Sequence, residues 1–274
     1  MTAVIAAISY WMPALAMLPI PKDGPSPTLK SRPEKWVRPA NVPKEPTLQI
    51  VRRVKNSAKQ IAFTFDACAT RAQPNGFDRA VFRLLQKEQI PATIFLSGRW
   101  VKFHPQAMKE LATEPLIEFA NHSYNHLHLP RLKRHEIATE IERTELALQP
   151  YGRHSIAFRP PFGEYNNLVL EVVHDHQLPT VLWDVVSGDP SPRMTAETMI
   201  KSVVRNTRSG SILIFHINGR ASQTSTALPS IFRQLRDRGF QFVHLSTLLA
   251  KRAHTPLIQP YADLKRHSRR SPIE

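Results

Sequence analysis

Two imidazoles stand four residues apart in the run Asn121-His122-Ser123-Tyr124-Asn125-His126. Neutral imidazole is a good ligand for Zn²⁺ and similar ions, and on a helical turn residues i and i+4 share a face, so His122 and His126 could hold one ion between them. Taken alone, the spacing fits a pair of surface histidines as well. A carboxylate follows an apolar run at Thr64-Phe65-Asp66-Ala67-Cys68. Asp66 could serve there as a general base or as a third ligand; a lone Asp after a strand is otherwise a loop cap. Arg159 enters the stiff turn Arg159-Pro160-Pro161-Phe162-Gly163, where its guanidinium could pair with Asp66 and keep it ionised. His216 closes the run Ser211-Ile212-Leu213-Ile214-Phe215-His216 and is the best candidate for a general acid. A metal-binding pair, a base, a cation to hold the base charged and an acid together suit metal-assisted hydrolysis.

These residues are scattered over about 150 positions, so they act together only if the fold gathers them. Short apolar runs alternate with amphipathic ones at helical spacing, the pattern of βα units around a parallel sheet. Strands are predicted at 61–65, 92–96, 116–120, 156–158, 180–185, 212–215 and 240–245, and helices at 76–89, 105–113, 133–148, 166–176, 196–208 and 226–238. In the first helix Phe77, Val81, Leu84 and Leu85 repeat at helical spacing and should pack on the sheet. Asp66, His122, Arg159 and His216 fall at C-terminal strand ends, and Asp189 lies just beyond one. Parallel α/β folds build active sites at that edge. Periodicity alone does not separate a closed barrel from an open doubly wound sheet.

The segments TFDACAT, NHSYNH, RPPFG, WDVVSGD and ILIFHIN, in this order over about residues 60 to 246, resemble the five motifs of the polysaccharide deacetylase family, also called the NodB homology or carbohydrate esterase 4 domain. The resemblance implies a distorted (β/α) barrel of about seven parallel strands with flexible terminal extensions. It also implies a divalent metal, usually zinc, and hydrolysis of N-acetyl groups on chitin-like, peptidoglycan or related glycans. Carried over by position, His122 and His126 resemble the metal-binding histidines and Asp66 the catalytic base. Arg159 resembles the residue paired with that base, His216 the catalytic acid, and Asp189 the carboxylate that orients the acid. Two positions depart from the family pattern. Ala67 stands where a second, metal-binding Asp is usual, which leaves water, Asp66 or Cys68 as the third ligand, or a site that binds metal weakly or not at all, and Pro190 stands where Trp commonly follows the Asp. The histidines at 104, 128, 135, 154, 174, 176, 244, 254 and 267 are read as structural or solvated, with His128 the next choice as a ligand.

The chain has 274 residues, enough for one sizeable core, and a formal net charge of +15 that suits an anionic partner. Lys22, Lys30, Arg32, Lys35 and Arg38 on one side and Lys251, Arg252, Lys265, Arg266, Arg269 and Arg270 on the other suggest basic tails able to hold an anionic wall polymer. No zinc-finger spacing or aromatic RNP-like run supports nucleic-acid binding, and no stable protein partner is indicated. The single cysteine, Cys68, rules out an internal disulfide framework. Residues 1–20 resemble an export signal or membrane anchor without its usual positive start, 21–47 form a proline-rich linker, 48–249 the catalytic domain and 250–274 a basic tail. Export to the periplasm or cell envelope is expected, or a cytoplasmic location if the first segment is no signal. A non-catalytic glycan-binding protein and a basic wall-associated scaffold are the rival readings.

Overall fold

The computed structural model describes residues 49–252 apart from Arg71 and Pro74. After the short strand β1 (Ile50–Val51) comes β2 (Gln60–Ala67), the longest strand and the centre of the sheet. Helix α1 (Arg79–Lys87) starts where Asp78 Oδ1 accepts the amides of Ala80 and Val81, satisfying donors that a helix start leaves free. Strand β3 (Ala92–Leu96) leads through the Ser97 cap into α2 (Gly98–Phe103) and then α3 (Pro105–Thr113). Strand β4 (Ile117–Asn121) is followed by α4 (Arg134–Leu148) and α5 (Asn167–Asp175). The remaining elements are β5 (Thr180–Val181), β6 (Val185–Val186), α6 (Ala196–Asn206), β7 (Ile212–His216), α7 (Thr224–Asp237), β8 (Gln241–Phe242) and α8 (Leu245–Arg252).

All strand pairings are parallel, in the order β4-β3-β2-β7-β6, with β8 on the lower end of β2 and β1 on β5. Beyond β4 the pairing continues only as single bridges, Asn121 to Phe158 and Phe158 to Thr180. Strands β5 and β6 lie on one stretch of chain without pairing with each other, so the sheet curls as a distorted barrel that is laddered on one side and held by single bridges on the other. The predicted strand at 156–158 is thus a bridge. The one at 180–185 is split, because the Leu182 amide bonds Val51 while the Asp184 amide bonds Ile212. The last predicted strand keeps only Gln241–Phe242, and Leu245 already starts α8. Elements β1, α2 and α8 add to the strands and helices that the hydropathy pattern predicts.

Strand alternation sorts the core into two layers. Phe63, Phe65 and Ala67 of β2 face outward into an apolar cluster with Val81 and Leu85 of α1 and Ile231, Phe232 and Leu235 of α7. Ala62 faces the barrel interior with Phe95, Ala120, Val181 and Ile212. Thr64 and Asp66 share the inward face of Ala62, so Asp66 stands at the mouth of the barrel while Ala67 packs under the helices.

The segments 1–20 and 21–47, and the tail beyond Arg252, lie outside the described residues. No described helix is long and apolar enough to cross a membrane. The flanking sequences also carry Asp23, Glu34, Glu45, Asp263 and Glu274, so most of the formal positive excess belongs to the described residues and not to these flanking segments.

Candidate active site

Parallel register between β2 and β7 sets Asp66 opposite His216 on neighbouring strands. Both side chains therefore reach the same mouth. Arg159, supplied by the turn after the Phe158 bridge, is fully buried and donates from Nη1 to Asp66 Oδ1 at 2.5 Å and from Nη2 to Thr64 Oγ1 at 2.9 Å. The pairing with Asp66 expected from the sequence is present as a single contact, because the second nitrogen is taken by Thr64. The guanidinium also lies 3.8 Å from the Phe95 ring centroid. Burial alone would raise the Asp66 pKa, but the Arg159 charge and hydrogen bond outweigh it and hold the carboxyl below its usual range.

His122 follows β4 and is buried; its Nδ1 lies 2.8 Å from the Arg159 carbonyl. A carbonyl only accepts, so Nδ1 carries the proton and Nε2 offers its lone pair. That nitrogen faces Asp66 Oδ2 at 3.5 Å. The His126 ring lies edge-on to His122, centroid to centroid 4.9 Å. Burial lowers the pKa of both imidazoles, that of His126 to about 3, so both are neutral near pH 7. His122 Nε2, unprotonated, thus faces Asp66 Oδ2 with the His126 ring beside it, and two neutral imidazoles and a carboxylate are donor types that suit a divalent cation. The segment between the histidines is not the helical turn imagined from the spacing. Ser123 and His126 have φ of 61° and 57°, and this left-handed bend brings the rings together.

Neither Ala67 nor Cys68 adds a ligand. Ala67 belongs to the outer core, and the Cys68 thiol is pushed up to about 12 by burial and by the charge of Asp66, with Asn218 Nδ2 3.1 Å from its sulfur. Among the described residues no cluster of three His, Cys, Asp or Glu side chains has metal-holding geometry. His128 is no ligand either, since its Nδ1 meets Glu164 at 2.8 Å and its ring stacks on Phe162, centroid distance 4.3 Å. Phe162, at φ 58°, stands over the mouth with its ring also edge-on to His126 at 4.6 Å.

His216 Nδ1 lies 2.8 Å from Asp189 Oδ1, whose other oxygen accepts the His216 amide and the Thr224 hydroxyl. Nδ1 therefore donates, and Nε2 is left for the mouth. Burial would lower the His216 pKa, but the hydrogen bond and charge of Asp189, with Asp66 beyond, raise it above the usual value. All six residues singled out from the sequence converge. Thr64, which the motifs do not single out, joins them from two residues before Asp66 on the same strand face, and Asn218 lies two residues beyond His216, so alternation is the signal for both.

The polysaccharide deacetylase family profile matches residues 53–181. A peptidoglycan-N-acetylglucosamine deacetylase of Bacillus cereus is 32% identical over 210 residues, which cover 75% of this chain and 95% of that protein. A crystal structure of a peptidoglycan N-acetylglucosamine deacetylase with a bound N-oxidanyl-benzamide aligns at a TM-score of 0.67 and 26% identity, covering 73% of this chain and 92% of that one. A carbohydrate esterase 4 pseudoenzyme from Bacillus anthracis shares the fold at a TM-score of 0.66 and 24% identity, covering 74% and 69%.

Proposed function

The chain belongs to the polysaccharide deacetylase family and is a hydrolase of carbon–nitrogen bonds other than peptide bonds, and we propose that it removes N-acetyl groups from peptidoglycan or a chitin-like glycan. The observation that carries this reading is the meeting of a buried, ionised Asp66 and a protonatable His216 on paired strand positions, beside two neutral imidazoles. In this role Asp66 takes a proton from the water that attacks the acetamide carbon. Arg159 keeps Asp66 charged and fixes its orientation. His216 then delivers a proton from Nε2 to the departing sugar amine as the C–N bond breaks and acetate leaves. Asp189 holds Nδ1 and stabilises the protonated ring. A divalent ion, zinc by the chemistry of the donors, would be held by His122 and His126 with Asp66 in reach, and would polarise the amide oxygen and acidify the attacking water.

Acetate release from chitin oligomers and from peptidoglycan, with and without chelator, tests this. Chelation should abolish release and Zn²⁺ should restore it. Release that is indifferent to chelator would remove the metal from the proposal. Ala67 favours one other reading, a non-catalytic glycan-binding protein; metal-replete protein that binds glycan yet releases no acetate would establish that reading instead.

The two shifted pKa values fix the pH profile. Activity needs Asp66 ionised and His216 protonated, so kcat/KM should form a plateau bounded below by the lowered Asp66 and above by the raised His216. Asp189→Asn removes the charge that most raises His216, while Asp66 and Arg159 still face it, so the alkaline limb should move to lower pH. An unmoved alkaline limb would take His216 out of the acid role.

A further inference from the structure

In the middle of the turn that carries His122 and His126 lie the peptide groups Ser123–Tyr124 and Tyr124–Asn125, and all four of their polar atoms are engaged. Their carbonyls accept from the first amides of α2: Ser123 from Gly98 at 3.0 Å and Tyr124 from Arg99 at 3.1 Å. Their amides both donate to one carboxylate oxygen, Glu140 Oε2 on α4, Tyr124 at 3.0 Å and Asn125 at 2.7 Å. The other oxygen, Oε1, accepts Asn125 Nδ2 at 2.5 Å, and Asn125 Oδ1 in turn accepts Arg99 Nε at 2.5 Å. Glu140 is only 4% exposed, so no solvent takes its place.

The residues on either side of these two peptides, Ser123 and His126, are the ones with left-handed backbones, a conformation unfavourable for side chains other than glycine. Such a bend persists where its surroundings over-determine it. Local bonds contribute at its ends: Asn121 Oδ1 accepts the Ser123 amide and Ser123 Oγ the His126 amide. The backbone in the middle of the bend is bonded by α2 and Glu140, while the Arg143 guanidinium lies over the Tyr124 ring, 3.9 Å from the ring centroid. Tyr124 cannot slide toward α2 either, because its ring already crowds Gly98, where an added Cβ would come within 2.2 Å of it.

The geometry points to Glu140 as a positioning residue for the metal site: its carboxylate, by collecting the turn's amides, sets the spacing and orientation of the His122 and His126 rings. This rests on the reading above that the two histidines hold a divalent ion. The Glu140 carboxylate bonds the turn's amides and the Asn125 side chain, so its influence on the rings passes through the turn. Outer partners of this kind commonly tune metal affinity by about 10–100-fold.

The test uses the full chain with Glu140→Ala, Glu140→Gln and, as a packing control on the same buried face of α4, Ile137→Ala, whose apolar side chain can offer the turn no hydrogen bond. Co²⁺ affinity from its visible absorption should fall by about 10–100-fold in Glu140→Ala. Glu140→Gln keeps one acceptor for the amides and should recover part of the loss, and Ile137→Ala should stay within about twofold despite a lower melting temperature. In metal-free protein, long-range ¹H–¹⁵N spectra of the imidazoles should show His122 as a single Nδ1–H form in the wild type, and shifted or averaged ring signals for His122 and His126 in Glu140→Ala only. Affinity within about twofold of wild type in Glu140→Ala, unchanged ring spectra, or an equal loss in Ile137→Ala would each overturn the assignment. Wild-type protein that binds no divalent ion would instead defeat the metal reading of the site, and the metal-free ring spectra would then decide the role of Glu140 by themselves.

Discussion

Replacing Asp66 with Asn should lower the rate of acetate release by about 10²–10⁴-fold, the usual worth of a positioned general base. The amide keeps the shape of the carboxylate and one oxygen for Arg159 Nη1, so the barrel should still fold, at reduced stability because the buried Arg159 charge loses its counterion. It cannot accept a proton at neutral pH. Its NH₂ group, turned toward His122 Nε2, would also occupy the lone pair that the site leaves open, so divalent-ion affinity should fall together with the rate. Steady-state acetate release and a Co²⁺ titration measure the two effects separately. A near-normal rate in this variant would end the assignment of Asp66 as the base.

Arg159→Met should instead strike the fold. A buried ion pair is costly to break from one side, because the charge left behind has neither water nor partner; the loss is about 3–5 kcal/mol. For a domain of this size that corresponds to a fall in melting temperature of roughly 6–20 °C. The carbonyls of Val181 and Leu182, which receive longer contacts from the same guanidinium, lose a partner as well. The pH dependence gives the loss a signature. In the wild type the lowered pKa of Asp66 stabilises the fold above the unfolded carboxyl value of about 3.9, and this contribution vanishes as pH falls through the folded value. Without Arg159, burial lifts the Asp66 pKa, so the variant's deficit should be widest at neutral pH and shrink on acidification. Adding Asp66→Asn to Arg159→Met should recover part of the stability, since no charge then remains stranded. Additive losses across that double-mutant cycle would mean that the two side chains do not act as a pair.

Much of this site was legible in the sequence because hydropathy records burial, and burial records strand and helix faces. The apolar runs ending at Asp66 and His216 located two strand ends, and parallel topology carried their side chains to one mouth. What stayed hidden depended on partners rather than on local pattern. The run at 180–185 looks continuous in hydropathy, yet its middle changes hydrogen-bonding partner from β1 to β7. The bend at Ser123 and His126 has no glycine to announce it. Glu140 lies fifteen residues beyond Asn125 on an amphipathic helix, where a glutamate reads as solvated surface until the neighbouring turn is seen. The position of Ala67 followed the opposite course: its departure from the family pattern was plain in the sequence, but only the alternation of β2 shows that its methyl belongs to the packing beneath the helices.

Because Asp66 and His216 meet through strand register, length changes are not equivalent along this chain. An insertion in a surface loop, such as the one between α3 and β4, leaves the pairing of β2 with β7 intact. A single residue gained or lost within β2 inverts every side chain beyond it, burying the carboxylate under α1 and α7 and presenting its neighbour to the substrate. Variation by descent, or by design, is therefore free to lengthen the rim of the barrel, whereas the two central strands must keep their residue count.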